Sequence, residues 1–129
     1  MTALVGFVLF LGLTLAGLGA VFWTGLHAQR RRHIPLVVLT ISLLGVAVYY
    51  AEQLGKGYIL EDAGWIYPFH LYLAIGTTAF YLVPVISGIA TLRNPRWRKL
   101  HGRIAWVVLA LTVLTAVTGV WMISLATKR

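Results

Sequence analysis

Three of the four histidines lie beside the basic clusters of the chain, where imidazole groups on neighbouring helices could ligate a haem iron. His27 and His33 flank Arg30–Arg32, and His101 lies within the basic stretch Arg93–Arg103. Neutral imidazoles serve as axial ligands of haem, and a helical bundle can cradle the macrocycle. The pattern allows haem b on His33 with His101, or on His27 with His101. The alternative is that these histidines only face lipid headgroups.

A second group of ionisable residues lies away from the basic clusters. His70 follows the acidic stretch of the chain, and Tyr49 and Glu52 precede it. An ionisable residue within an apolar helix is a functional candidate by default. His70, Glu52 and Tyr49 could handle protons or a metal, or they could join two helices by hydrogen bonds alone. Two good ligands do not define a metal site, so the metal remains unknown.

Several kinds of chemistry are excluded by what the chain lacks. It contains no cysteine, which excludes disulfides, thiolate metal sites and covalent attachment of c-type haem. It also has no glycine-rich phosphate loop, no nucleophile elbow and no HExxH zinc motif. The sequence therefore favours a non-enzymatic protein and assigns no catalytic residue.

Four long apolar segments must position these residues. They cover about residues 2–26, 34–54, 65–92 and 103–126 of a chain that is 60% hydrophobic and only 11% charged. Each is long enough to cross a bilayer as a helix, which requires about 20 residues. Short connections join antiparallel neighbours. The prediction is an all-α integral membrane protein, with residues 1–129 forming a single four-helix transmembrane domain of up-down-up-down topology.

The charges predict an orientation. Of the 11 Lys and Arg residues, only Lys56, Lys128 and Arg129 lie outside the two basic connections, while the three acidic residues lie at the end of segment two and in the connection to segment three. The positive-inside rule then places two basic loops in the cytoplasm and both termini outside. These loops explain the net charge of +8 without nucleic acid and could attract anionic lipids. A bacterial or archaeal cytoplasmic membrane is the expected location.

Small and polar residues recur at helical spacing along each segment and predict the helix faces that pack together. In the third segment this stripe includes His70, Thr77, Tyr81 and Pro84. Pro84 lies inside the segment and cannot donate to the carbonyl of Phe80, so a kink is expected there. Helix packing alone would also explain these stripes.

An ordered set of motifs resembles the CtaM-like family of small four-helix membrane proteins, which is associated with haem–copper oxidase assembly. The resemblance covers roughly Arg30 to Ile123. Its motifs are His33 after a basic turn, Tyr49-Tyr50, a Gly-containing loop, His70, Val83-Pro84, Thr91-Leu92, the run Arg98–Trp106 containing His101, and Thr118-Gly119-Val120.

The resemblance implies an accessory or assembly protein of a respiratory oxidase, acting through haem or copper, with His33, His70 and His101 at the histidine positions of the family. The chain departs from the family at Gly102, where another basic residue is usual. A glycine after histidine also resembles b-type transmembrane cytochromes. A b-type haem electron carrier and a purely structural subunit of a larger membrane complex are therefore the alternatives.

Overall fold

The computed structural model describes all residues 1–129, and 87% of them are helical. Helices α1 (Ala3–Leu26) and α2 (Arg30–Gly55) each form one span. The third span consists of α3 (Ile66–Phe80) and α4 (Leu82–Arg93), and α5 (Arg98–Leu125) forms most of the fourth. Four helices of this length and apolar composition confirm the prediction of an all-α, integral membrane protein.

Short elements join and end the helices. Strand β1 (Tyr58–Ile59) and a 3-10 turn (Leu60–Ala63) follow α2, and a second 3-10 turn (Pro95–Trp97) precedes α5. Strand β2 (Thr127–Lys128) pairs with β1 in a two-stranded sheet.

Helix α2 begins at Arg30, earlier than the apolar segment that predicted it. Pro35 therefore lies inside the helix instead of in its first turn. Hydropathy marks where a helix enters the apolar layer, whereas arginine has a high helix propensity and extends the helix beyond that layer. The preceding turn includes Ala28, whose φ of 53° reverses the chain after α1.

The third span is interrupted at Tyr81, three residues before Pro84. The amide of Tyr81 is shared between the carbonyls of Thr77 and Thr78, at 3.2 and 3.3 Å. Pro84 has no N–H for the carbonyl of Phe80, so the regular helix ends there and resumes as α4. The expected irregularity near Pro84 is found.

The contacts within the chain divide it into two compact units. The first unit comprises Met1–Tyr58 with Lys128–Arg129 and is built on the antiparallel hairpin of α1 and α2. Glycines of α1 allow close approach of α2: Gly6 lies against the ring of Tyr50, and Gly17 lies against the side chain of Thr40. The ring of Tyr50 also stacks on Phe10, with centroids 5.7 Å apart.

The second unit comprises Ile59–Thr127 and packs α3 and α4 against α5. At one end, Ile66 is fully buried with Ala63 and Met122. Further along, the hydroxyls of Thr77 and Thr115 are 3.0 Å apart. Hydroxyl contacts between the helices therefore continue from this apolar cluster toward the middle of the span.

Candidate functional site: three histidines seated on glycine

His70 lies in a pocket formed by two consecutive residues of α5. Its Nδ1 is 3.0 Å from the hydroxyl of Thr118. A β-carbon placed on the next residue, Gly119, would lie only 2.9 Å from Cε1 of His70. The absence of a side chain at Gly119 thus makes room for the imidazole edge, and the hydroxyl of Thr118 binds its Nδ1.

His101 has the same arrangement, but here the histidine is on α5 and the hydroxyl residue and glycine are on α4. The Nδ1 of His101 is 2.9 Å from the hydroxyl of Ser87. A β-carbon on Gly88 would lie 3.3 Å from Cε1 of His101. A hydroxyl residue followed by glycine again holds the imidazole.

His33 repeats the arrangement in the first unit. Its Nδ1 is 3.1 Å from the hydroxyl of Thr24 and 3.0 Å from the carbonyl oxygen of Val21, both on α1. A β-carbon on Gly25 would lie 3.2 Å from Cε1 of His33. We call each such imidazole, with its hydroxyl residue and the glycine that follows, a histidine seat.

His27 is held differently. It is exposed at the end of α1, where its Nδ1 is 2.8 Å from the carbonyl oxygen of Trp23, and its ring lies 4.1 Å from the Trp23 ring. Both contacts are within one helix turn, and no other helix is needed to orient the ring. His27 therefore resembles an interfacial histidine more closely than the three seated histidines do.

Hydrogen bonding in the seat of His33 determines which nitrogen carries the proton. A carbonyl oxygen only accepts hydrogen bonds, so a hydrogen bond between Nδ1 and Val21 places the proton of the imidazole on Nδ1. In a neutral imidazole the lone pair is then on Nε2, the atom that coordinates a metal when Nδ1–H is bound to an oxygen. The carbonyl of Val21 thus holds His33 in the way that metal-ligating histidines are commonly held, with the second ring nitrogen bound to an oxygen.

Two histidines of the second unit cannot share one metal atom. His70 contacts Thr118, which is seventeen positions after His101 on the same helix. At a rise of about 1.5 Å per residue, these positions are about 25 Å apart. Metal–imidazole bonds are about 2 Å long, so two ligands of one iron require nitrogens about 4 Å apart. His70 and His101 thus belong to opposite ends of the span.

Tyr49 and Glu52, the other two residues predicted to handle protons or a metal, do not form a polar site within the first unit. Tyr49 is exposed and packs edge-on against Tyr50, with ring centroids 5.4 Å apart. Glu52 is exposed near the end of α2. The imidazole of His70 makes its polar contact with Thr118, and pairing of His70 with Glu52 stays a prediction. No group of three or more His, Cys, Asp or Glu side chains that could hold a metal is found.

Sequence reasoning identified the histidines but missed the residues that bind them. Small and polar residues were expected only at helix contacts in general, and Thr118-Gly119 appeared only as part of the family pattern. No contact with a histidine was predicted for any of these residues. The available signal was a hydroxyl residue before glycine, found at Thr24-Gly25, Ser87-Gly88 and Thr118-Gly119. Which histidine each dipeptide faces depends on helix pairing, which this signal does not contain.

Comparison of the chain with protein-family models, with curated proteins and with solved structures found no significant match. The resemblance to the CtaM-like family therefore stays a prediction.

Proposed function

We propose that this protein is a non-enzymatic accessory or assembly protein of a membrane respiratory complex of the haem–copper oxidase type, and that its seated histidines handle the haem or copper of that complex. The observation that carries the proposal is the repeated histidine seat at His33, His70 and His101. Histidines that only faced headgroups would not need glycines and hydroxyls on a neighbouring helix. The motif resemblance directs the proposal to an oxidase.

The proposed topology is an up-down-up-down bundle with both termini outside and two basic loops in the cytoplasm of a bacterial or archaeal cell. One contact within the first unit supports it. The amide of Arg129 donates to the carbonyl of Gly57 at 2.9 Å, so the end of the chain lies beside the loop that follows α2. In the cytoplasm, the groove lined by Arg96, Trp97, Lys99, Leu100 and Arg103 would meet anionic lipid headgroups.

Deletion of the gene for this protein in its native cell tests the accessory role. We expect loss of the protein to lower the haem or copper content of the oxidase, and expression of the wild-type chain to restore it. The His101→Ala variant should fail to restore that content, because it lacks an imidazole that is proposed to handle the haem or copper. The Glu61→Gln variant, altered at an exposed loop carboxylate, is the matched control and should restore it.

Purification from native membranes in mild detergent provides the second measurement. We expect oxidase subunits to be recovered with the tagged protein. Unchanged metal content in the deletion strain, together with isolation of the protein alone, would contradict the accessory role. Recovery of a complex whose metal content is insensitive to His33, His70 and His101 would instead indicate a purely structural subunit.

A b-type haem electron carrier is the second candidate, with His33 and His101 as axial ligands or His27 with His101. The seat of His33 supports it, because Nδ1 lies 3.0 Å from a backbone carbonyl oxygen, a common partner for the second ring nitrogen of a metal-ligating histidine. In this candidate function, His33 and His101 would hold the iron and the arginines next to them in the sequence would bind the propionates. The bound haem would supply one-electron redox chemistry.

The optical spectrum of the purified protein tests this second candidate. Protein expressed with ample haem supply should show a reducible b-type Soret band and α band, and His101→Ala should abolish both. His70→Ala is the control, since its ring lies at the other end of the span and should leave the bands in place. A colourless wild-type protein would rule out the haem carrier.

A further inference from the structure

The hydroxyl of Thr118 has two backbone acceptors besides its contact with His70. It lies 2.9 Å from the carbonyl oxygen of Leu114 and 3.1 Å from that of Thr115. A threonine hydroxyl has a single proton, and within helices it commonly donates it to a carbonyl of the preceding turn. Its lone pairs are then left to accept a hydrogen bond.

The direction of the hydrogen bond to His70 follows from this arrangement. If Thr118 donates its proton to a backbone carbonyl, the hydrogen bond of 3.0 Å between its hydroxyl and Nδ1 of His70 requires the proton of the imidazole to be on Nδ1. We infer that Thr118 is a positioning residue that holds His70 in the Nδ1–H tautomer, so that Nε2 is the atom presented to a metal or haem iron. The identity of that ligand rests on the proposed function, whereas the tautomer does not.

Gly119 fixes the position of the same ring. A β-carbon would lie 2.9 Å from Cε1 and 3.3 Å from Nε2 of His70, so any larger residue would displace the coordinating edge. Thr118 therefore sets the protonation of the ring, and Gly119 sets its location. Ser87 would act in the same way on His101, since its hydroxyl lies 3.2 Å from the carbonyl of Pro84.

The hydrogen bonds of His33 predict a different response to loss of its threonine hydroxyl. Its Nδ1 has the carbonyl of Val21 as an acceptor in addition to Thr24. Loss of the Thr24 hydroxyl should leave the Nδ1–H tautomer of His33 intact, because the carbonyl remains. Loss of the Thr118 hydroxyl removes the acceptor that we assign to His70.

Nitrogen NMR of the full chain, labelled with ¹⁵N-histidine and purified without haem or metal, tests the inference. Spectra are recorded at mildly alkaline pH, where imidazole is neutral, and His70 is assigned by its absence from a His70→Gln variant. In the wild-type protein, Nδ1 of His70 should resonate as a protonated nitrogen. In Thr118→Val it should shift to the unprotonated range, whereas Thr118→Ser, which keeps the hydroxyl, should retain the wild-type signal.

Two further variants complete the experiment. Thr115→Val removes a hydroxyl one turn away and should leave the His70 signals unchanged, and Thr24→Val should leave His33 unchanged. An Nε2–H tautomer of His70 in the wild-type protein would overturn the inference, as would an unaltered Nδ1–H signal in Thr118→Val. A protein that shows the expected tautomers but binds no haem and supports no oxidase would contradict the proposed function alone.

Discussion

Substitution of Gly6 by leucine should separate α1 from α2 and lower the free energy of unfolding by about 3 kcal/mol, the upper end of the usual cost of overpacking. A β-carbon at this position would overlap the ring of Tyr50. That ring is also stacked on Phe10 and packed edge-on against Tyr49, so it cannot simply rotate away. Thermal unfolding in detergent micelles, followed by circular dichroism, measures the loss.

Gly12 is the matched control on the same helix. It is exposed, and a β-carbon there would meet no atom within 4 Å. Gly12→Leu should therefore unfold at the wild-type temperature or slightly above it, because leucine is a better helix former than glycine. Equal destabilisation by the two variants would show that Tyr50 does not pack on Gly6.

Substitution of Tyr81 by alanine should destabilise the second unit by about 3–5 kcal/mol, the range found when a buried aromatic side chain is removed. Tyr81 is only 8% exposed, although it lies at the interruption between α3 and α4. Its hydroxyl is 2.8 Å from that of Thr112 on α5. The variant would lose both the ring packing and this contact between helices. Chemical unfolding in mixed micelles gives the free energy.

One further variant separates the contribution of the Tyr81 ring from that of its hydroxyl, and another serves as the control at an exposed tyrosine. Tyr81→Phe should cost only about 0.6 kcal/mol, the average for a hydrogen bond between membrane helices, because Thr112 also donates to the carbonyl of Val108 at 2.7 Å. Tyr72→Ala, at a tyrosine that is 77% exposed on α3, should have little effect on either unit. If Tyr81→Ala were no more disruptive than Tyr72→Ala, the ring would not contribute to packing between α3 and α5.

The membrane spans could be predicted from the sequence because their physical cause is local. An uninterrupted apolar run of sufficient length satisfies its backbone only as a helix in lipid, whatever its neighbours are. The interruption near Pro84 was also predictable, since a missing N–H acts on the same helix. The start of α2 at Arg30 was not, because hydropathy does not distinguish a helix that leaves the bilayer from a loop.

The histidine seats could not be predicted because they depend on helix rotation and pairing. His70 and Thr118 are far apart in sequence. A rotation of α5 would place another of its small or polar residues against His70, and a rotation of α3 would move His70 away from Thr118. Thr77 was expected on a packing face, and it does lie at the contact of α3 with α5, where its hydroxyl is 3.0 Å from that of Thr115. Periodicity thus indicated a face but not the partner of each side chain.

The hydroxyl groups along the spans also bear on how the chain reaches the membrane. Hydroxyls on α1, α2, α4 and α5 lie within hydrogen-bond distance of carbonyls in their own helix; these include Thr14, Thr24, Ser42, Thr91, Thr112, Thr115 and Thr118. Such a hydroxyl needs no partner helix to be satisfied in hydrocarbon. The hydroxyls of α1 and α5 therefore add no unsatisfied polar group when either helix enters lipid by itself. The contacts that orient the histidines join different helices, so they require both partners to be in place.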